Sequence, residues 1–350
     1  ITDIEQLSYD TKLFRFVSAK QNKLLAPFRA GQYIGLTVEV NGVRTARPYS
    51  LVSSPNQTAY YELGIRRKEG GFVSCHLFDN AKVGDTFEAT EPLGNLHYNP
   101  IFHGNDLVFI AGGCGITPFI SMLRDVSERD LIDININLIF GCLTEKDIIF
   151  RDLLEKIKSR RRNIHINYVL SEPDSDWEGL CGFITRDIIQ KLIGSKKNKY
   201  FYIVGNRAMY QFIEQELTMI GIPKHKTFYE AFGAPDDITE IIGWPHDIVP
   251  SKKVTIALRY RHLNAEKTLE FEASCTEPLL NSIERQKLSD LQIRNGCRSG
   301  ECAFCRAKID AGKVFVPPNV TIREMDSNYG FIHPCVSYPI TDLQVDLTSL

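Results

Sequence analysis

Four cysteines near the C-terminus, Cys297, Cys302, Cys305 and Cys335, stand as C-x4-C-x2-C followed by a distant fourth. Four thiolates can hold either a two-iron, two-sulfide cluster or a structural zinc ion. Three ligands drawn from one tight loop at this spacing favour the [2Fe–2S] cluster, because four residues followed by two is awkward for a zinc knuckle. Gly296 and Gly300 belong to the same loop. Without Cβ atoms they let backbone N–H groups turn towards cluster sulfurs. The other five cysteines, Cys75, Cys114, Cys142, Cys181 and Cys275, show no ligand spacing and read as small apolar residues.

Two further constellations lie upstream. Arg47-Pro48-Tyr49-Ser50 closes one strand, and Gly70-Gly71-Phe72-Val73-Ser74 opens a short helix running to Phe78. Taken singly, the first suits the end of an edge strand and the second a plain turn. Further along, Ala111-Gly112-Gly113-Cys114-Gly115-Ile116-Thr117-Pro118 follows a buried strand and precedes a helix, the setting that a phosphate-cradling glycine turn needs. The order of the three motifs along the chain resembles that of the ferredoxin–NADP reductase superfamily. The last segment, with strands near Val254–Arg261 and Thr268–Ala273 and a helix opening at Pro278, resembles a plant-type ferredoxin of the β-grasp fold.

The resemblance implies FAD, NADH and a [2Fe–2S] cluster. It assigns the flavin stack to Tyr49, the contact with flavin N5 to Ser50, phosphate pairing to Arg47 and Arg66, and flavin contacts to Pro48, Gly71, Phe72, Val73 and Ser74. FAD is expected over FMN because Glu91 to Tyr98 is similar to the loop that covers the adenine half. Gly112, Gly113, Cys114, Gly115, Thr117 and Pro118 would face the nicotinamide dinucleotide, with Gly205 and Met209 at the end of a later strand. That later motif normally carries a Cys-Gly pair; here it reads Val204-Gly205-Asn206-Arg207, and the thiol is absent. Phe232, in Tyr229-Glu230-Ala231-Phe232-Gly233, is expected on the flavin's nicotinamide face, with a plain core aromatic as the alternative. Glu172, Asp174 and Asp176 follow the third strand and favour NADH, since a 2′-phosphate would need basic partners there; Arg207 is the opposing residue.

These motifs need elements to hold them. Residues 1–103 alternate apolar and polar over short runs and contain Asn41-Gly42, a two-residue hairpin signal, so an antiparallel β-barrel is expected. Residues 104–233 alternate strand and helix, which implies an α/β domain with a parallel sheet. Residues 234–251 read as a linker, and 252–350 as an α+β ferredoxin domain. The 350 residues are 43% hydrophobic and carry a formal net charge of −2, enough for several cores and without a source of phosphate attraction, so nucleic acid is not expected as a partner.

The longest uncharged stretch, Leu107 to Leu123, is short for a membrane span and is broken by glycines and Pro118. No basic-then-apolar leader opens the chain, and nine cysteines, an odd number, suit a reducing compartment; a cytoplasmic protein is expected. A hydride delivers two electrons and a [2Fe–2S] cluster takes one, so a flavin must stand between them. The expected activity is electron transfer from NADH through FAD and the cluster to a separate acceptor, such as an oxygenase component. The alternative is an electron-transfer subunit of a larger, oxygen-independent metalloenzyme complex.

Overall fold

Alternation of buried and exposed side chains sets the first strands. The computed structural model describes residues 1–20, 23–231, 235, 237–291, 293–318, 320 and 322–348, so Phe232 lies outside the described residues. Strands β1 (Asp3–Gln6), β2 (Thr11–Phe16), β3 (Tyr33–Val40), β4 (Val43–Ser50), β5 (Tyr61–Arg66) and β6 (Glu88–Ala89) form two three-stranded sheets, ordered β1-β2-β5 and β4-β3-β6. An isolated antiparallel bridge between Leu51 and Leu63 continues the pairing beyond β4, as expected for barrel-like antiparallel sheets. Asn41 and Gly42 both hold positive φ, 52° and 76°, the requirement of a tight hairpin turn whose twist matches its strands. Helix α1 (Phe72–Asn80) follows the paired glycines.

The second sheet is parallel and ordered β10-β9-β8-β7-β11-β12, from β7 (Asp106–Gly112), β8 (Asn135–Cys142), β9 (Ile164–Leu170), β10 (Leu180–Cys181), β11 (Lys199–Gly205) and β12 (Thr227–Ala231). Its crossovers carry α2 (Thr117–Glu128), α3 (Arg151–Arg160), α4 (Arg186–Ile193) and α5 (Arg207–Met219). The inner residues of β7, Leu107 to Ala111, are all buried, because helices cover both faces of a parallel sheet. On one face Phe109 stacks on Phe119 with centroids 4.6 Å apart. Strand order reverses between β7 and β11, and the crevice at such a switch point is where α/β sheets bind ligands.

Residues 253–346 build a mixed sheet ordered β14-β13-β19-β15-β17, from β13 (Lys253–His262), β14 (Ala265–Ser274), β15 (Ala307–Ala311), β17 (Phe331–Ile332) and β19 (Leu343–Asp346), with β16 (Val314–Phe315) paired to β18 (Tyr338–Pro339). β13 pairs antiparallel with β14 and parallel with β19. The short helix α6 (Leu279–Glu284) buries Leu279, Leu280 and Ile283, and α7 (Glu324–Asn328) follows the cluster loop. Ile238, Trp244 and Ile248, from the stretch read as a linker, sit in this core, and Trp244 meets Phe315 edge-on at 5.2 Å. The chain forms two compact units: Ile1–Ile34 with Tyr49–Phe232, and Gly35–Pro48 with Gly233–Leu350. The hairpin tip between β3 and β4 therefore packs with the C-terminal segment.

At the switch point a Cβ on Gly115 would run into the backbone carbonyl of Val204, which cannot move without breaking β11. At Gly141 the nearest atom is the tip of Ile184, 3.1 Å away, which can turn aside. Gly115→Ala should therefore lower unfolding free energy by about 1–3 kcal/mol, and Gly141→Ala by clearly less, in urea titrations followed by far-ultraviolet circular dichroism.

Candidate active site

Strand β4 delivers the first motif. Tyr49 is half-buried, and Ser50 is 4% exposed with its Oγ lacking a hydrogen-bond partner among the described residues. A buried hydroxyl without a partner is costly, and a cofactor nitrogen or oxygen beside it would remove that cost. Arg47 donates from Nη1 to Thr45 Oγ1 at 2.6 Å and to the Ala46 carbonyl at 2.9 Å, which fixes the guanidinium.

At α1, Gly71 caps the helix with extended backbone, leaving the first-turn N–H groups of Phe72, Val73 and Ser74 without intrahelical acceptors. Val73 is buried and anchors the turn, Phe72 is 43% exposed, and Ser74 Oγ accepts from Lys68 N at 3.2 Å. Both sets fit a flavin with a pyrophosphate. Arg66 stands elsewhere: its Nε donates to Asp10 at 2.5 Å, and Nη1 lies 3.1 Å from where a Cβ on Gly113 would be. It thus borders the dinucleotide turn.

That turn leaves β7 at Gly112 and winds through a short 3-10 segment, Gly113–Ile116, into α2, with Gly113 at φ 51°. Pro118 sits in the first turn of α2, where its missing N–H costs nothing. Thr117 is buried, and its hydroxyl donates to the Cys114 carbonyl at 2.9 Å, so it shapes the loop. Burial pushes the Cys114 thiol up to about 11, offset in part by Arg66, and it stays protonated at neutral pH.

Met209, on α5, covers the Cα positions of both Gly112 and Gly205, and a Cβ at either would collide with its sulfur. Where the family's Cys-Gly pair has its thiol stands the buried Val204, and beyond Gly205 the side chain of Asn206 caps α5 by accepting from Met209 N at 2.9 Å. Glu172 is exposed just beyond β9, at the same sheet edge as the ends of β7 and β11. Gly112, Gly113, Gly115, Gly205 and Met209 are thus gathered at the switch point.

In the second unit, Cys297, Cys305 and Cys335 are buried and Cys302 is half-buried. The four thiols meet in one group, in which Cys297 contacts Cys302 and Cys335, and Cys335 contacts Cys305. Backbone N–H groups of Ser299 and Cys302 both donate to Cys297 Sγ at 3.4 Å. Those bonds, led by one from the Cys302 thiol, hold Cys297 well below the usual thiol range, and Cys302 is pushed up in return.

Among the described residues no three His, Cys, Asp or Glu side chains form a single-ion site. Four gathered thiols with two backbone amides aimed at one sulfur fit a [2Fe–2S] cluster. Two props of this loop carry no motif of their own. Buried His333 links the Gly300 carbonyl to Asp326, reaching the carboxylate at 2.8 Å, and Arg298 is held by Thr45, Ala46, Asn281 and Glu284.

Family models match the chain in three consecutive blocks: an oxidoreductase FAD-binding domain over residues 1–98, an oxidoreductase NAD-binding domain over 109–215, and a 2Fe-2S iron-sulfur cluster binding domain over 263–339. NADH-cytochrome b5 reductase 2 of Gallus gallus is 32% identical over 64% of this chain and 82% of its own length. The chain belongs to the ferredoxin–NADP reductase superfamily.

This reductase is also 25% identical to the glycine betaine monooxygenase reductase subunit of Chromohalobacter salexigens, over 97% of this chain and 92% of that one. It shares its fold with phthalate dioxygenase reductase, at a TM-score of 0.69 and 20% identity over 99% and 96% of the two chains. The reductase is an NAD(P)H-dependent oxidoreductase in which electrons run through FAD to a [2Fe–2S] cluster. Among the described residues no helix is long and apolar enough to cross a membrane.

Purified reductase should contain about two iron and two acid-labile sulfide per chain. Cys335→Ser should abolish the visible cluster spectrum, and zinc without sulfide would contradict the ligand assignment.

Proposed function

We propose that the reductase takes hydride from NADH in preference to NADPH and delivers single electrons from its cluster to a separate redox protein, the oxygenase component of a monooxygenase or dioxygenase system. The carrying observation is the convergence of the four thiols in one largely buried group, because a one-electron carrier at the end of a two-electron input makes the output stepwise. The full-length likeness to a monooxygenase reductase subunit supports the class of acceptor. FAD, when bound, supplies the chemistry that accepts two electrons together and releases them singly.

The chain's own groups do the positioning. With FAD bound, Tyr49 would stack on the flavin ring, Ser50, whose buried hydroxyl has no partner among the described residues, would give it to N5, and Arg47 would pair with phosphate. The first-turn amides of α1, Gly71 to Ser74, hold the pyrophosphate. Gly112 to Pro118 cradle the dinucleotide, with Gly205 and Met209 flooring the crevice. Glu172 accepts from a ribose hydroxyl and repels a 2′-phosphate. Cys297, Cys302, Cys305 and Cys335 would ligate the cluster. No side chain is needed as a general base.

Stopped-flow flavin reduction should favour NADH over NADPH, and Glu172→Gln should narrow the ratio; equal efficiency of the two in the wild type would contradict the assignment. Arg47→Ala removes a charge-assisted bond worth roughly 1.5–3 kcal/mol and should weaken FAD retention about 10- to 150-fold. Equilibrium dialysis of released FAD measures it.

A further inference from the structure

The hydroxyl of Thr45 is saturated. It donates to Glu284 Oε2 at 2.8 Å and accepts from Arg47 Nη1 at 2.6 Å and from Arg298 Nη2 at 2.7 Å, which uses the one donor and both lone pairs of a threonine. Thr45 is 2% exposed, and the side chains of Glu284 and Arg298, themselves ion-paired, are 10% and 11% exposed. Arg298 follows the cluster cysteine Cys297 directly and takes a left-handed conformation, φ 52°. Its Nε also donates to the Ala46 carbonyl at 2.8 Å, and its Nη1 to Asn281 Oδ1 at 2.7 Å. Lys287 adds a bond to the Asn41 carbonyl at 2.7 Å. All of these contacts lie inside the second compact unit, of which the hairpin segment Gly35–Pro48 is part.

Strand β4 runs unbroken from Val43 to Ser50. Ala46, to which the cluster loop is bonded, stands three residues before Tyr49 on this strand, and three residues of extended chain reach at most about 10–11 Å. We infer that Thr45 is a positioning residue: with Glu284 and Arg298 it clamps the cluster loop onto β4, and so sets the rate at which an electron passes from flavin to cluster. The step it governs is balanced and simple. The reduced flavin loses one electron and one cluster iron goes from ferric to ferrous, with no bond made or broken between them. Hydride transfer from NADH takes place at the nicotinamide crevice, and Arg47, the flavin-site residue bonded to Thr45, keeps its bond to the Ala46 carbonyl when the hydroxyl is removed.

This inference rests on the proposed flavin and cluster assignments, so flavin and iron content of each purified protein is measured first. Loss of either cofactor from the wild type would count against those assignments; retention of both isolates the clamp. Thr45→Val keeps the shape and removes the hydroxyl, whereas Thr45→Ser keeps the hydroxyl. In anaerobic stopped-flow with NADH, Thr45→Val should slow cluster reduction about tenfold or more, equivalent to at least ~1.4 kcal/mol on that barrier. Flavin reduction should stay within about twofold, and Thr45→Ser should restore the cluster step. Unchanged cluster reduction in Thr45→Val, equal slowing of both steps, or failure of Thr45→Ser to restore the rate would overturn the inference.

A second measurement needs no variant. In wild-type protein stripped of its cluster by chelation, hydrogen exchange should speed up over residues 43–48 together with 297–302, because clamp and loop move as one. Exchange over 43–48 that ignores the loss of the cluster would also overturn it.

Discussion

A buried ion pair and one hydroxyl hold the cluster loop of this reductase in place. Arg298 and Glu284 are both largely withdrawn from water, and such a pair gains little net stability when intact, since desolvation offsets attraction. Losing one partner is different: the remaining charge is stranded, at a cost of roughly 3–5 kcal/mol. The arrangement therefore serves geometry more than stability. The Thr45 hydroxyl uses its donor and both lone pairs, and a buried hydroxyl so satisfied rigidifies its surroundings. Rigidity suits an electron carrier, whose rate depends on distance and which has no substrate to close around.

The dinucleotide crevice solves the opposite problem, close approach without polar glue. Gly112, Gly115 and Gly205 remove the side chains that would keep β7, β11 and α5 apart, and the Met209 thioether fills the space so cleared. Methionine is suited to such a gap because its unbranched chain adapts to irregular surfaces. The same glycines that admit the neighbouring backbone leave main-chain N–H groups at the sheet edge where phosphates bind.

Much of this was legible because it is local. The cluster spacing, the paired glycines before α1, the Asn41-Gly42 turn and the glycine run after β7 each lie within a few residues, and the helices and strands of the parallel sheet follow from hydrophobic periodicity. The two edge strands were less visible. β10 has two residues, and β12 follows a proline-containing turn without a long apolar run.

The clamp was invisible for a physical reason. Thr45 lies 239 residues from Glu284 and 253 from Arg298, and a threonine, a glutamate and an arginine so far apart carry no pattern. Ile238, Trp244 and Ile248 were similarly disguised, since the prolines and acidic residues around them give a boundary composition while their side chains pack into a core. Ser50 lay between these cases: its place in a motif was plain, but its unpartnered burial could be read only from the fold.

A hydride brings two electrons and the cluster takes one, which makes the flavin the obligatory link between nicotinamide and cluster. Removing FAD while leaving the cluster in place, adding NADH without oxygen, and following the cluster by electron paramagnetic resonance tests that link. No reduced-cluster signal should appear until FAD is restored, after which the signal should appear in full. A reduced cluster in the flavin-free protein would contradict it.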